Sequence, residues 1–158
     1  MSNFTETPIA SDVQKEFDFC MANGLKNLGV KPDDDADVIV KAVGDFIYKW
    51  DADRKSFFRR LMQLRGDTAN IALWLGIVWG NQVCRAFGWT WACLECGGHT
   101  YYGVVSSDRA YVVHPTDNIL NLLNDPGRDN ATILFYNMMK AGKSPPSAPG
   151  MYNIGAEW

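Results

Sequence analysis

The chain is poor in the groups that most often carry chemistry. Its 158 residues include two histidines and four cysteines, too few thiols for a disulfide-stapled scaffold and better read as reduced side chains of a cytoplasmic protein. Charge of one sign is lacking too. Fifteen Lys and Arg face eighteen Asp and Glu for a net −3, which argues against a nucleic-acid binder, a class with a strong basic bias. The longest uncharged stretch, Thr68 to Cys84, is broken by Asn70, Asn81 and Gln82 and has its apolar centre at Ile71–Trp79. A membrane span needs ~20 mostly apolar residues, so this stretch reads as a buried helix, and no membrane association is expected. The opening Met1-Ser-Asn-Phe-Thr-Glu-Thr-Pro8 has neither the basic nor the apolar section of a secretory signal. Gly-x-Gly-x-x-Gly, the phosphate-binding lysine loop and His-Glu-x-x-His do not occur. With them go the commonest signatures of dinucleotide, nucleotide and zinc-hydrolase sites, and no cofactor is expected.

What the chain holds in quantity is aromatic surface: six Trp, six Tyr and eight Phe, 13% of its residues. At 47% hydrophobic and 21% charged it otherwise has the composition of a globular domain. A chain of this length buries roughly 70% of its unfolded surface, enough for one core. The expected organisation is a single domain over residues 1–141, with 1–10 as a mobile arm, and an extended tail over 142–158 containing Pro145, Pro146 and Pro149.

From Ser11, the apolar residues Val13, Phe17, Cys20, Met21 and Leu25 follow helical spacing until Gly29 and Pro32 stop it. A second helix starts in the acidic run Asp33–Asp37, where carboxylates suit free N–H groups and the macrodipole. Its stripe is Val38, Ile39, Ala42, Val43, Phe46, Ile47 and Trp50, and Asp51-Ala-Asp53 reads as a junction. A calcium loop is excluded because the sixth position is not Gly and the twelfth is not Glu. Arg54–Arg65 interleaves five bases with Phe57, Phe58, Leu61, Met62 and Leu64. This predicts an amphipathic helix whose basic face is either solvated or a docking strip for an acidic partner.

The strongest helical pattern runs through Ile71, Trp74, Leu75, Val78, Trp79, Val83, Ala86 and Phe87 and ends at Gly88. Gly76 and Gly80 interrupt it, each costing ~1 kcal/mol relative to Ala. That cost implies close approach of another backbone, from this chain or from a second copy in a homodimer. Beyond Gly88 the period falls from 3.6 to 2. Trp89–Cys96 and His99–Ser106 read as a hairpin on Gly97-Gly98, and Ser107-Asp108 turns into a third strand, Arg109–His114. Short helices follow from Thr116 or Asp117 to Leu123, and from Asn130 or Ala131 to Ala141. The predicted class is α+β, with N-terminal helices packed on a small three- to four-stranded antiparallel sheet and two short helices after it.

The succession Leu75-Gly76-x-x-x-Gly80, Gly88-Trp89-x-Trp91, a three-strand meander, then Pro115 and Ile119, resembles a widespread family of small bacterial domains of unknown function. The likeness covers about Thr68–Leu123. It implies an α+β fold with helices over one sheet face and carries over no catalytic residue. By analogy of size and style, comparable small cytoplasmic proteins encoded beside bacterial toxins serve as immunity proteins.

One constellation could carry chemistry. Cys93-x-x-Cys96-x-x-His99 has zinc-like spacing, but residues three apart on a strand face opposite sides. The two turns instead set Cys96 opposite His99 and Tyr101 opposite His114, which puts all four on one face. Trp89, Trp91, Cys93, Tyr102, Val104, Tyr111 and Val113 take the other face, beneath the Ile71–Phe87 helix. The four-residue cluster suits ordinary packing, a Cys–His nucleophile pair or a three-ligand metal site. A papain-like pairing of Cys20 with His99 is weaker, because Cys20 sits mid-helix among apolar residues.

Trp50, Tyr101, Tyr152 and Trp158 have no obvious core partners, and with Arg59 and Arg60 they are the candidate partner-binding residues; Trp and Tyr dominate interface hot spots. Two functional expectations follow. The first is a non-catalytic protein-binding protein, a cytoplasmic immunity protein that binds and neutralises a bacterial toxin or effector. The second is a small hydrolase or metal-binding protein using Cys96, His99 and His114.

Overall fold

The computed structural model describes residues 4–53, 67–125 and 129–154. The basic helix expected over 54–65 lies outside these residues, as do Arg59, Arg60 and Trp158. The fold is α+β. Among the described residues the helices are α1 (Ser11–Leu28), α2 (Ala36–Asp53), α3 (Asp67–Phe87), α4 (Pro115–Asn124) and α5 (Ala131–Lys140). The strands are β1 (Thr5–Thr7), β2 (Thr90–Cys96), β3 (His99–Val105), β4 (Tyr111–Val113) and β5 (Asn153–Ile154). They form one sheet in the order β1-β2-β3-β4-β5, antiparallel throughout except for the parallel β4–β5 pair.

Helix ends follow local chemistry. Gly29 closes α1 at φ 70°, and the Val30 N–H returns to the Leu25 carbonyl at 3.1 Å. The acidic run opens α2 at Ala36, with Asp37 in its first turn. Residues 32–35 form a turn in which the Asp34 carboxylate accepts the Lys31 N–H at 2.8 Å, and the Asp35 carbonyl takes the Val38 and Ile39 N–H groups. At its other end α2 continues through Asp53, where the sequence suggested a junction.

α3 is the central helix. Ala72, Leu75, Val78, Trp79 and Val83 pack with Ile39, Val43 and Ile47 of α2, Leu25 of α1, and Ile119 and Leu123 of α4. Its glycines meet this chain rather than a second copy. A methyl group on Gly76 would lie 2.7 Å from both the N and Cα of Thr116, and one on Gly80 would strike the Trp91 ring and touch Pro115 at 3.0 Å. The first turn of α4 is therefore seated on α3 at backbone contact distance.

Helices cover one sheet face, the one bearing Trp89, Trp91, Val104, Tyr111 and Val113. Phe17 on α1 sets its ring edge-on against Trp91 at 4.9 Å and Tyr102 at 5.8 Å. The other face holds a second, smaller core of Ala92, Leu94, Val105 and Val112. One expectation for the chain ends changes. Within the segment expected as a mobile arm, Thr5–Thr7 pairs with Glu95–Cys93 of β2. The Pro-rich tail is extended, and it is tied along the sheet. Ser147 Oγ donates to the Ala110 carbonyl at 2.8 Å, Gly150 N–H to the Asp108 carbonyl at 3.1 Å, and the Tyr111 hydroxyl to the Pro145 carbonyl. Among the described residues no helix is long and apolar enough to cross a membrane.

Candidate functional site

The β2–β3 hairpin builds the site. Gly97 and Gly98 adopt φ 59° and 80°, the two left-handed residues that a tight two-residue turn requires. The turn places Cys96 opposite His99 and Leu94 opposite Tyr101. The next turn differs from expectation. Ser107–Ala110 is a four-residue loop, so Val104 faces Val113 and His114 falls level with Gly103 rather than Tyr101. The loop is longer because Asp108 organises it. Its carboxylate accepts the Ser106 hydroxyl at 2.7 Å and the Ala110 N–H at 3.0 Å, and both bonds hold the carboxyl below its usual range.

A slip of two residues keeps every side chain on its own face. Cys96, His99, Tyr101 and His114 accordingly share the face that no helix covers among the described residues, the helix-free face. They make a ladder of rings: His99 to Tyr101 at 6.4 Å, and Tyr101 edge-on to His114 at 5.9 Å. His114 is the inner member, and its Nδ1 is buried without a hydrogen-bond partner among the described residues. Burial pushes its imidazole below the usual value, against the opposing effects of Asp117 and a hydrogen bond to the Tyr102 backbone. His114 is thus held neutral.

Among the described residues no hydrogen bond joins Cys96 to either imidazole, and no three His, Cys, Asp or Glu side chains gather as a metal site. Cys93 lies on the opposite face of β2 from Cys96, as the strand period dictates. Cys20 is half-buried on α1, where burial first and Glu16 second push its thiol up, away from a nucleophilic thiolate.

The partner-binding candidates separate. Trp50 does have a core partner: its indole N–H donates to the Leu123 carbonyl at 3.3 Å, and its ring stacks on Phe46 at 6.3 Å. Tyr152 is docked within the chain, its ring 5.6 Å from Phe4 and its hydroxyl donating to Glu6 at 2.6 Å. Tyr101 is 37% exposed, and Tyr102, which sequence reasoning put under the helices, is 39% exposed. Tyr102 lies toward the hairpin tip, at the rim of the helical layer. The sequence signal that finds it is distance from the Gly97-Gly98 turn rather than strand parity. All four residues from His99 to Tyr102 are exposed, whereas Gly103, Val104 and Val105 are buried. Along β3, β4 reaches only Val104 and Val105, so His99–Tyr102 has β2 on one side and, among the described residues, no strand on the other.

A concavity of about 190 Å³ lies between α2 and α5 and is lined by Asp37, Val40, Lys41, Ile133, Tyr136 and Asn137. Sequence reading assigned Asp37 to helix capping. It also accepts the Tyr136 hydroxyl at 2.9 Å and pairs with Lys140, fastening α5 to α2. Burial and then the Asp37 bond push the Tyr136 phenol up to about 12, so this group stays protonated and structural. No protein-family model, curated protein or solved structure matches the chain.

Proposed function

We propose that the chain is a non-catalytic protein-binding protein, an immunity-type inhibitor acting in the cytoplasm that engages a bacterial toxin or effector through the tip of the β2–β3 hairpin. The observation that carries this reading is the run His99-Thr100-Tyr101-Tyr102, exposed on both faces and, among the described residues, without a strand along one edge. Tyrosines on rigid strands give large contact area at small entropic cost. An open strand edge offers main-chain hydrogen bonds to an added strand.

The test is competition between sibling cells. Deleting the gene is expected to lower survival beside wild-type siblings, and supplying the chain from a plasmid to restore it. The Tyr101→Ala/Tyr102→Ala double variant is expected to fold, its circular dichroism melt lowered only slightly by loss of the Phe17–Tyr102 contact, and yet not restore survival. Equal survival of deleted and wild-type cells would sink the immunity reading. Full rescue by the double variant would move the binding surface elsewhere.

A further inference from the structure

The small core on the helix-free face is covered by the two chain ends. Ala92, Leu94, Val105 and Val112 are fully buried, and the rings packed against them belong to Phe4 and Tyr152. These rings arrive from opposite edges of the sheet, one just before β1 and the other just before β5.

Three side chains lock the ends to each other. The Arg109 guanidinium donates from Nε to Glu6 Oε2 at 3.1 Å and from Nη2 to Oε1 at 2.6 Å, a bidentate, charge-assisted pair. The Tyr152 hydroxyl donates to Glu6 Oε2 at 2.6 Å, and the Tyr152 N–H donates to the Arg109 carbonyl at 2.9 Å. Glu6 and Tyr152 are 146 residues apart in sequence.

Backbone strain sits in the same place. Arg109 at φ 58° and Tyr152 at φ 48° are, among the described residues, the two non-glycine positions with positive φ. Bulky side chains are rare in that region and are held there only when surrounding contacts over-determine them. Both strained residues close onto Glu6. A turn needing only its shape would be better served by glycine at either position.

The contacts that hold the ends are few. β1 has three residues and β5 two, and the Arg109 and Glu6 side chains are 34% and 23% exposed, so water and salt compete for the pair. The helical core on the other sheet face shares none of these groups. We infer that Glu6, Arg109 and Tyr152 form a latch that holds both chain ends over the helix-free face, and that its release opens that face as one unit while the helical core stays folded. Local openings of this kind are cooperative and lie well below the global unfolding free energy.

Amide hydrogen exchange on the full chain tests the latch. Glu6→Gln keeps the shape and removes the charge, which roughly halves the strength of such bonds. The expected result is at least about tenfold faster exchange at the β1–β2 ladder and equally at the Tyr152 and Asn153 amides, with the Val78 and Trp79 amides of α3 unchanged. Arg109→Gly relieves the backbone and cuts the pair. A latch predicts faster exchange at both ends, whereas a mere turn predicts equal or slower exchange. Acceleration of β1 alone, an equal rise in α3, or protection by Arg109→Gly would each overturn the inference.

Discussion

Replacing Gly76 by Ala isolates the contact that seats α4 on α3. In a free helix the substitution is favourable by ~1 kcal/mol, because Ala loses less backbone freedom. Here the added methyl would lie 2.7 Å from the Thr116 N and Cα and 2.9 Å from its Oγ1. These are mostly backbone atoms at the start of a helix whose Pro115, Ile119, Leu122 and Leu123 are buried, so no flexible side chain can swing aside. Overpacking of that kind costs ~1–3 kcal/mol, and a backbone collision belongs at the upper end. The net expectation is a loss of about 2 kcal/mol. For a chain of this size that lowers Tm by roughly 4–8 °C. Urea titration followed by tryptophan fluorescence measures the free energy, and a thermal melt by circular dichroism measures the shift. A Gly76→Ala protein as stable as the parent, or more so, would refute the seating of α4 at backbone distance and with it the packing of the central helix.

Other outcomes follow from burial and charge. Arg109 chiefly, aided by Tyr152 and opposed by burial, holds the Glu6 carboxyl below its ordinary 4.5. Its stabilising effect is therefore complete above that value and lost as pH falls through the lower folded value. Urea midpoints of the parent and Glu6→Gln should converge as pH drops from 5 toward 3, with the parent ahead at pH 5. His114 has the opposite charge type and a lowered value. The unfolded chain binds a proton that the folded one refuses, so stability rises with pH up to about 6.5. His114→Gln should flatten that slope, and an NMR titration should place the imidazole below its ordinary value. Cys84 has its thiol pushed up to about 12 by burial. Native protein treated with iodoacetamide at mildly alkaline pH should keep Cys84 unmodified by mass spectrometry, and unfolded protein should not. Trp50→Phe removes the indole bond to the Leu123 carbonyl and should cost about 1 kcal/mol, read as a drop in the urea midpoint at constant slope.

Elements with a strong period are legible in this sequence, and the contacts between chain ends are not. α3 follows from eight apolar residues on one stripe and a closing Gly88, and the hairpin follows from Gly97-Gly98 between alternating strands. Their signals are local, so nothing distant can override them. The pairing of Thr5–Thr7 with β2 joins residues nearly ninety positions apart, and a three-residue strand has too little pattern to announce itself. Trp50 looked spare because its acceptor, a backbone carbonyl on α4, has no sequence signature. The Glu6–Arg109–Tyr152 set was illegible for a similar reason. Arg109 reads as the first residue of a strand, and only the observed φ shows it at the turn of a four-residue loop.

The site candidates show which kind of error a strand reading survives. The second turn was placed two residues short, which moved His114 from Tyr101 to Gly103. Side chains alternate with a period of two, so an even error in loop length changes neighbours along a face and never changes the face. An odd error would have put His114 among Trp91 and Val104, in the helical core. The face of each residue is therefore legible from strand parity while its cross-strand partner is not, and the consequence is chemical. On the helix-free side Tyr101 stands between the two imidazoles, 6.4 Å from His99 and 5.9 Å from His114. It stands between the two imidazoles that a three-ligand site would bring together, while Cys96 remains opposite His99. A ladder of alternating rings with one exposed tyrosine is suited to stacking against a partner's side chains. The same two-residue offset that moves His114 away from Tyr101 thus leaves an aromatic surface, next to the edge of β3 that no strand covers among the described residues, where recognition is expected.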